Sequence, residues 1–195
     1  MKSVLMSIQP KWCELIANGK KTVEVRKTRP KCDVPFKVYI YCTNSKDMLW
    51  ILKERNSEKI ASIFSAKDVG GATKANGKVI GEFVCDSIVD CRDINMDCTC
   101  LTVPEWLQYT KGHKGNVWGW HISDFVIYDK PKELGEFVTH CKYEFTDDFR
   151  HCEDCQHYYY SNTPSCGTEE YCGCDGLKPI TRPPQSWCYV EGGEQ

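Results

Sequence analysis

The segment that decides the fold runs from Gly19 to Arg26 and is spelled Gly-Lys-Lys-Thr-Val-Glu-Val-Arg. Its second half alternates polar and apolar residues, which is the period-2 pattern of a β-strand. Thr22, Glu24 and Arg26 therefore share one face of the strand, and the two valines share the other. Lys21 has the wrong parity to join Glu24 in a regular strand, but Gly19 frees the backbone just before it. A lysine, a glutamate and an arginine that converge there would form a site for an anionic or hydrogen-bonding ligand such as a nucleotide.

A solvated strand edge with ordinary ion pairs is the alternative interpretation of this segment. Charges on exposed strands are common, and such pairs contribute only ~0–1 kcal/mol to stability. From spacing alone this alternative is the stronger one, so the rest of the sequence has to decide between the two.

Short strands and few helices surround the segment. Alternation, turn residues and prolines indicate an α+β chain in which a small β-barrel has helices at its ends. The predicted strands cover 3–8, 22–26, 36–42, 78–89, 117–121, 125–128 and 141–145, and the predicted helices cover 10–18, 45–66 and 103–109.

The composition limits the classes of protein to which the chain can belong. Its 195 residues allow one domain and a small appendage, and 41% hydrophobic and 12% aromatic residues suffice for a packed core. A formal net charge of -2 argues against a wholly basic nucleic-acid binder but is compatible with a local basic patch. The longest apolar runs, such as Val38–Cys42, are too short to predict a membrane span, and the start of the chain does not resemble a signal peptide. We therefore expect a cytoplasmic protein.

Four segments, in a fixed order, resemble one known family. The pattern Gly-x-Lys-x-x-Glu-x-Arg at 19–26, after a short helix, is similar to the signature of the ASCH domain, a PUA-like β-barrel. The segments 78–83, 119–124 and 128–132 agree with it, and the last two resemble bacterial and phage ASCH proteins. The resemblance covers about residues 1–145 and implies a PUA-like barrel with flanking helices.

The resemblance also implies a cleft lined by the signature residues, in a family thought mainly to bind RNA or nucleotides. Lys21 and Arg26 would hold phosphate, and Glu24 would orient Lys21 or accept a hydrogen bond from a base amino group. Trp12 or Trp120 is a candidate for stacking on a base; core packing is the alternative for each, and it is the favoured one for Trp12. His121 is a candidate for a further ligand contact, with a structural hydrogen bond as its alternative.

A basic loop follows the signature strand. Lys27, Arg29 and Lys31 stand at alternate positions, interrupted by Pro30. They would extend a track for phosphates, and a solvated loop is the equally favoured alternative.

An amidohydrolase that acts on N-acetylated cytidine is the second function that the resemblance raises. That branch of the family uses a lysine, a threonine and a glutamate, and its lysine matches Lys21, but the threonine position is Glu24 here. If this chain is an enzyme, Lys21 and Glu24 would be its catalytic residues. Because position 24 lacks a hydroxyl nucleophile, a binding role is favoured over hydrolysis.

The last part of the sequence is rich in cysteine. Six of the fourteen cysteines lie in 152–188, and without an export signal thiols and metal ligands are favoured over disulfides. We therefore expect a tail over 148–195, separate from the domain over 1–147 and stabilised by a structural zinc ion. The preferred ligands are Cys152, Cys155, Cys166 and Cys188.

The ligand set and the role of this tail leave alternatives open. The choice of Cys188 rests on the resemblance of residues 182–190 to a tail found behind some phage-type ASCH domains. Cys172 and Cys174 compete with Cys166, and a redox pair or an iron–sulfur cluster is a less favoured interpretation of the thiols. A third function is that of a phage accessory protein that binds a host protein through the tail.

Overall fold

The computed structural model describes residues 2–53, 59–63, 72–140, 158–163, 167–172 and 177–191. Strands dominate these residues, with two α-helices and three short 3-10 helices among them. The elements are β1 Lys2–Ile8, α1 Pro10–Ala17, β2 Val23–Arg26, β3 Phe36–Cys42, β4 Leu49–Lys53, β5 Lys59–Ile63, β6 Thr73–Lys74, β7 Lys78–Cys85, β8 Ile88–Asp90, 3-10 helices at Cys91–Asp93 and Met96–Thr99, α2 Val103–Thr110, β9 Trp118–His121, β10 Ser123–Lys132, a 3-10 helix at Leu134–Glu136, β11 Val138–His140, β12 Tyr158–Thr163, β13 Gly167–Cys172, β14 Leu177–Pro179 and β15 Trp187–Glu191.

A seven-stranded mixed sheet organises the described part of the chain. Its strand order is β10-β7-β3-β1-β15-β11-β14, in which β1 runs parallel to β3 and antiparallel to β15. A three-stranded sheet, β2-β9-β8, carries the signature strand, while β5-β4-β6 and the β12-β13 hairpin pair separately. The signature strand thus lies outside the large sheet and depends on β9 for its ladder.

The central strand β1 is buried on both faces, as its nearly continuous apolar sequence requires. Val4, Met6 and Ile8 belong to a core cluster that includes Cys13 and Ile16 of α1. The alternate residue of β1, Leu5, belongs to a second cluster on the other face, with Tyr39, Tyr41, Val79, Phe137, Ile180 and Val190. The period of two along β1 therefore divides the apolar side chains between two layers.

β7 and β10 approach each other closely at one glycine. A Cβ atom added to Gly81 would lie 2.3 Å from the backbone oxygen of Val126, a separation that real Cβ atoms do not show. Gly81 belongs to the 78–83 segment that resembles the family, and the close approach of β7 and β10 explains why a glycine stands at this position.

The sheet-dominated α+β class is confirmed, and most of the predicted strands and the helices at 10–18 and 103–109 have counterparts in the structure. The helix predicted over 45–66 is wrong, because β4 and β5 occupy this region and pair antiparallel from Leu49↔Ile63 onward. Leu49 and Ile51 are both buried, which is the alternation of a strand, and short apolar runs do not separate this pattern from a helix. The strand predicted over 141–145 lies outside the described residues.

The C-terminal residues join the sheet of the N-terminal ones. β15 lies between β1 and β11, with Leu5 opposite Cys188 and Ser3 opposite Val190. The predicted division between 147 and 148 therefore does not coincide with a division of the sheet. No helix in the described ranges has the length and apolar character needed to cross a membrane.

Candidate ligand-binding cleft

The turn between α1 and β2 brings Lys21 into the protein. Asn18 caps the C-terminal end of α1, and Gly19 after it adopts a left-handed conformation with φ of +67°. The amide groups of Lys20 and Lys21 both donate to the carbonyl oxygen of Leu15, which closes the turn. A glycine meets the requirement for positive φ at low cost, as the sequence suggested. Lys21 is consequently buried, with only 2% of its surface exposed.

Three charged side chains meet at the start of β2. The carboxylate of Glu24 lies 3.4 Å from Lys21 Nζ through Oε2 and 2.9 Å from Arg26 Nη2 through Oε1. Glu24 and Arg26 are buried as deeply as Lys21, at 6% and 8% exposure. This burial excludes the solvated strand edge that spacing alone had favoured.

Backbone oxygens from two distant segments complete this cluster. Lys21 Nζ donates to the Thr99 oxygen at 2.6 Å, and Arg26 Nη2 donates to the Ser7 oxygen at 2.8 Å. Arg26 Nη1 also lies 3.4 Å from the hydroxyl of Ser186. Arg26 Nε is buried and has no hydrogen-bond partner among the described residues. The three side chains carry a net charge of +1, so an anionic or electron-rich ligand complements them electrostatically.

A cavity of about 330 Å³ opens beside the charged cluster. This volume is at the lower end of the range for small-ligand sites, which matches one nucleotide better than a large ligand. Its wall combines the three charged residues with aromatic, apolar and polar groups, among them Trp12, Tyr109, Leu101, Ser7, Gln9 and Thr43. We call this cavity and its wall the cleft.

Tyr109 and Trp12 provide the aromatic surface of the cleft. The Tyr109 hydroxyl donates to the Val25 oxygen at 3.3 Å, and burial, together with the nearby Glu24 carboxylate, raises the pKa of Tyr109. Lys21 Nζ lies 5.1 Å from the centre of the Trp12 ring, within cation–π range. Trp12 also packs against the main core, so it serves the core and the cleft wall at once.

Trp120 does not line the cleft. It lies directly opposite Glu24 in the β2–β9 ladder, but its side chain is completely buried. Its ring packs against Phe36 at 5.6 Å and Trp187 at 5.7 Å between centroids. A ring with no exposed face cannot stack on a base without rearrangement, so the geometry favours the core-packing alternative.

His121 lies at the end of β9, away from the residues that line the cleft. Its Nδ1 is 2.7 Å from Asp86 Oδ1, and this hydrogen bond lowers the pKa of Asp86. The pair is about 45% exposed, as expected for a structural contact near the surface. The structure therefore does not bring His121 and Lys21 together.

Residues far from the signature complete the cleft and were missed by sequence reasoning. Tyr109 comes from α2, Ser7 from the end of β1 and Thr99 from a 3-10 helix. No local pattern marks them, because each enters the site through a contact between segments that are distant in sequence. Glu105 of α2 does not line the cleft; it caps α2 and pairs with Lys11.

A second, larger cavity of about 590 Å³ lies on the other side of Leu101. Its wall includes Trp106 and His113. It also contains an ion pair between Asp90 and Arg92, in which the Arg92 side chain is exposed to solvent. It lacks the convergence of buried charges found in the smaller cavity. We therefore assign the candidate site to the smaller cavity, because three buried charged side chains meet in its wall.

The structure describes one of the four predicted zinc ligands. Cys152, Cys155 and Cys166 lie outside the described residues. Cys188 lies in β15, packed beside the second core cluster, and burial raises the pKa of its thiol to about 11. Zinc binds cysteine as the thiolate, and coordination itself removes the thiol proton, so the assignment of Cys188 as a zinc ligand stays a prediction. The described ranges contain no cluster of histidine, cysteine and carboxylate side chains that could hold a metal, and zinc binding stays a prediction.

Comparison with known proteins agrees with the architecture. The family model of the ASCH domain matches residues 6–162. No curated protein matches the sequence. The crystal structure of ASCH from Zymomonas mobilis is 16% identical, with a TM-score of 0.51 over 97% of this chain and 87% of that chain. Two mutant forms of that protein also have a TM-score of 0.51. One is 16% identical and aligns over 98% of this chain and 91% of its own, and the other is 15% identical and aligns over 97% and 88%. At this level of identity the likeness concerns the fold alone.

Proposed function

Because this chain belongs to the ASCH domain family, we propose that it binds RNA or a nucleotide and that one nucleotide enters the cleft. The family is generally thought to bind RNA. Lys21, Glu24 and Arg26 are the residues of this chain to which the proposal assigns recognition.

One observation carries the proposal: two cations and one carboxylate, all buried, converge on the same small cavity. Burying three charges costs free energy unless they are paired, and a purely structural role is met as well by apolar residues. In this arrangement Lys21 and Arg26 hold a phosphate or a base carbonyl, while Glu24 accepts from a base amino group. Trp12, one of the two tryptophans that the sequence offered for stacking, and Tyr109 take the stacking role in this arrangement.

The amidohydrolase alternative lacks a supporting observation in the described residues. The position of the family's threonine nucleophile is Glu24, and its carboxylate accepts from both Lys21 and Arg26. A carboxylate that is paired with two buried cations is held in place and is not free to attack an amide. We therefore expect no turnover of N-acetylated cytidine, and product formation that depends on Lys21 would establish hydrolysis in place of binding.

Fluorescence anisotropy with a labelled single-stranded RNA tests the binding proposal. Lys21→Met keeps the length of the side chain without its charge, and Arg26→Lys keeps the charge without the planar fork. We expect each to weaken RNA binding about tenfold, while Lys74→Ala, an exposed lysine away from the cleft, leaves it unchanged. Circular dichroism shows whether the variants fold. Folded variants that bind as tightly as the original chain would disprove the proposal.

The thiols support a location in the reducing cytoplasm, which we include in the proposal. All eight cysteines with described side chains are free, and six of them either belong to the core clusters as buried groups or pack against them. Unpaired thiols of this kind are typical of proteins that do not enter an oxidising compartment.

A further inference from the structure

The loop that follows β2 places three cations at the edge of the cleft. Lys27 directly follows Arg26, and its Nζ lies 5.1 Å from the centre of the Tyr109 ring, which belongs to the cleft wall. Arg29 lies with its guanidinium carbon 4.4 Å from the centre of the Trp118 ring. Lys31 is exposed two residues further on. The positive charge of the cleft therefore continues outward along the loop.

Within the described part of the chain, no carboxylate neutralises these cations. Within the described ranges, Lys27, Arg29 and Lys31 form no ion pair, and Asp33 in the same loop does not pair with them. Elsewhere on the surface Lys78 pairs with Glu133 and Arg92 with Asp90. Three unpaired cations together on a chain with a net charge of -2 form a local positive field that attracts a polyanion.

The loop is attached to β15 by hydrogen bonds, although Arg29 and Lys31 are exposed to solvent. The Trp187 indole donates to the Thr28 hydroxyl at 3.0 Å, and the Lys31 amide donates to the Tyr189 hydroxyl at 2.7 Å. Pro30 is buried between these contacts. These contacts attach the loop to β15, and such attachment lowers the entropy that a ligand would have to remove on binding.

The aromatic partners keep the cationic groups available for phosphate. A guanidinium stacked on a ring presents its N–H groups outward in its own plane, where they match two phosphate oxygens. An ammonium over a ring likewise keeps donors on its outer side. Lys27 over Tyr109 and Arg29 over Trp118 both lie within the distance at which such cation–π contacts form.

We propose that the loop is a phosphate track and that the ligand of this protein is a single strand of RNA rather than a free nucleotide. One nucleotide occupies the cleft, and the phosphates that follow it contact Lys27, Arg29 and Lys31. This inference rests on the proposed function and specifies its ligand class.

Removal of the three loop charges tests the track. Lys27→Ala, Arg29→Ala and Lys31→Ala are combined in one variant, and Lys74→Ala, Lys130→Ala and Lys178→Ala in a control with the same net charge. The control residues are exposed and do not line the cleft. Both variants and the full original chain are titrated with a labelled eight-nucleotide RNA and, by calorimetry, with an equimolar mixture of the four ribonucleoside monophosphates.

We expect the loop variant to bind the RNA at least about tenfold more weakly. The slope of log K against log salt concentration should also fall in magnitude by about 2, because each of the three lost phosphate contacts contributes ~0.7 to it. Its affinity for the monophosphates should stay within about threefold, and the control should bind RNA like the original chain. Equal weakening in both variants, or an original chain that binds monophosphates as tightly as RNA, would overturn the track. An eight-residue polyglutamate peptide that competes as well as RNA would overturn the assignment to RNA.

The two proposals fail in distinguishable ways. If Lys21→Met weakens binding of the monophosphates but the loop variant behaves like the control, the cleft stands and the track falls. If the original chain binds neither RNA nor monophosphates, both fall.

Discussion

Glu24 balances the charges of the cleft at the scale of the single residue. Its Oε2 faces Lys21 and its Oε1 faces Arg26, so each cation interacts with a different oxygen of the same carboxylate. The sequence could predict that these three residues meet, because Gly19 and the strand alternation are local signals. It could not predict their burial, which depends on Thr99, Ser7 and Leu101, all brought in by other elements.

Replacement of Glu24 by glutamine should destabilise the protein by about 3 kcal/mol. The amide has nearly the same shape but leaves two buried cations without an anion, and breaking buried pairs costs roughly 3–5 kcal/mol. Urea unfolding followed by tryptophan fluorescence measures the change. Glu133→Gln is the matched control, because its ion pair with Lys78 is exposed and should change stability by less than about 1 kcal/mol. Equal effects in the two variants would show that the cleft charges are solvated in solution.

α2 is the element that presents Tyr109 to the cleft. The Thr102 side chain accepts from the Glu105 amide and the Glu105 side chain from the Thr102 amide, which forms a capping box. Glu105 also pairs with Lys11 of α1, so the two helices are linked beside the cleft. Local signals sufficed to predict α2, since Pro104 and the preceding threonine mark its start. They failed at β4 and β5, where the apolar spacing suits either structure and the ladder between strands decides.

The stability contribution of the Glu105 cap should disappear in acid. The hydrogen bond with Lys11, followed by those with Thr102, lowers the pKa of Glu105 from 4.5 to about 2. A lowered pKa in the folded state means that the contribution is present above about pH 4.5 and is lost as the pH falls towards 2. The stability difference between the original chain and Glu105→Gln should therefore shrink over this interval, as measured by urea unfolding at pH 6, 4, 3 and 2.5. A difference that is constant with pH would mean that the carboxylate of Glu105 makes these contacts only weakly in solution.

The whole molecule is closed by contacts between its two ends. β15 pairs with β1, and Ser7 donates through its hydroxyl to the Pro184 oxygen while Ser186 reaches Arg26 in the cleft. These pairs are separated by more than 150 residues, so neither periodicity nor composition gives a signal for them. The cysteine count led the sequence interpretation to treat the last residues as a separate tail, whereas the apolar Trp187, Tyr189 and Val190 serve the two cores.

A chain that ends at residue 176 should consequently fail to fold. It would lose β14 and β15, leave β1 with an unpaired apolar edge and remove the contacts that fix Thr28 and Lys31. Loss of β15 would turn the central strand β1 into an exposed apolar edge strand, which also favours aggregation. We expect the shortened chain to show no cooperative thermal transition, while a control chain ending at residue 191, which keeps β15, unfolds as the full chain does. If the shortened chain unfolded within a few degrees of the full chain, the domain would be independent of its last strands, and the division at 147 inferred from the sequence would describe the folding unit better than the sheet does.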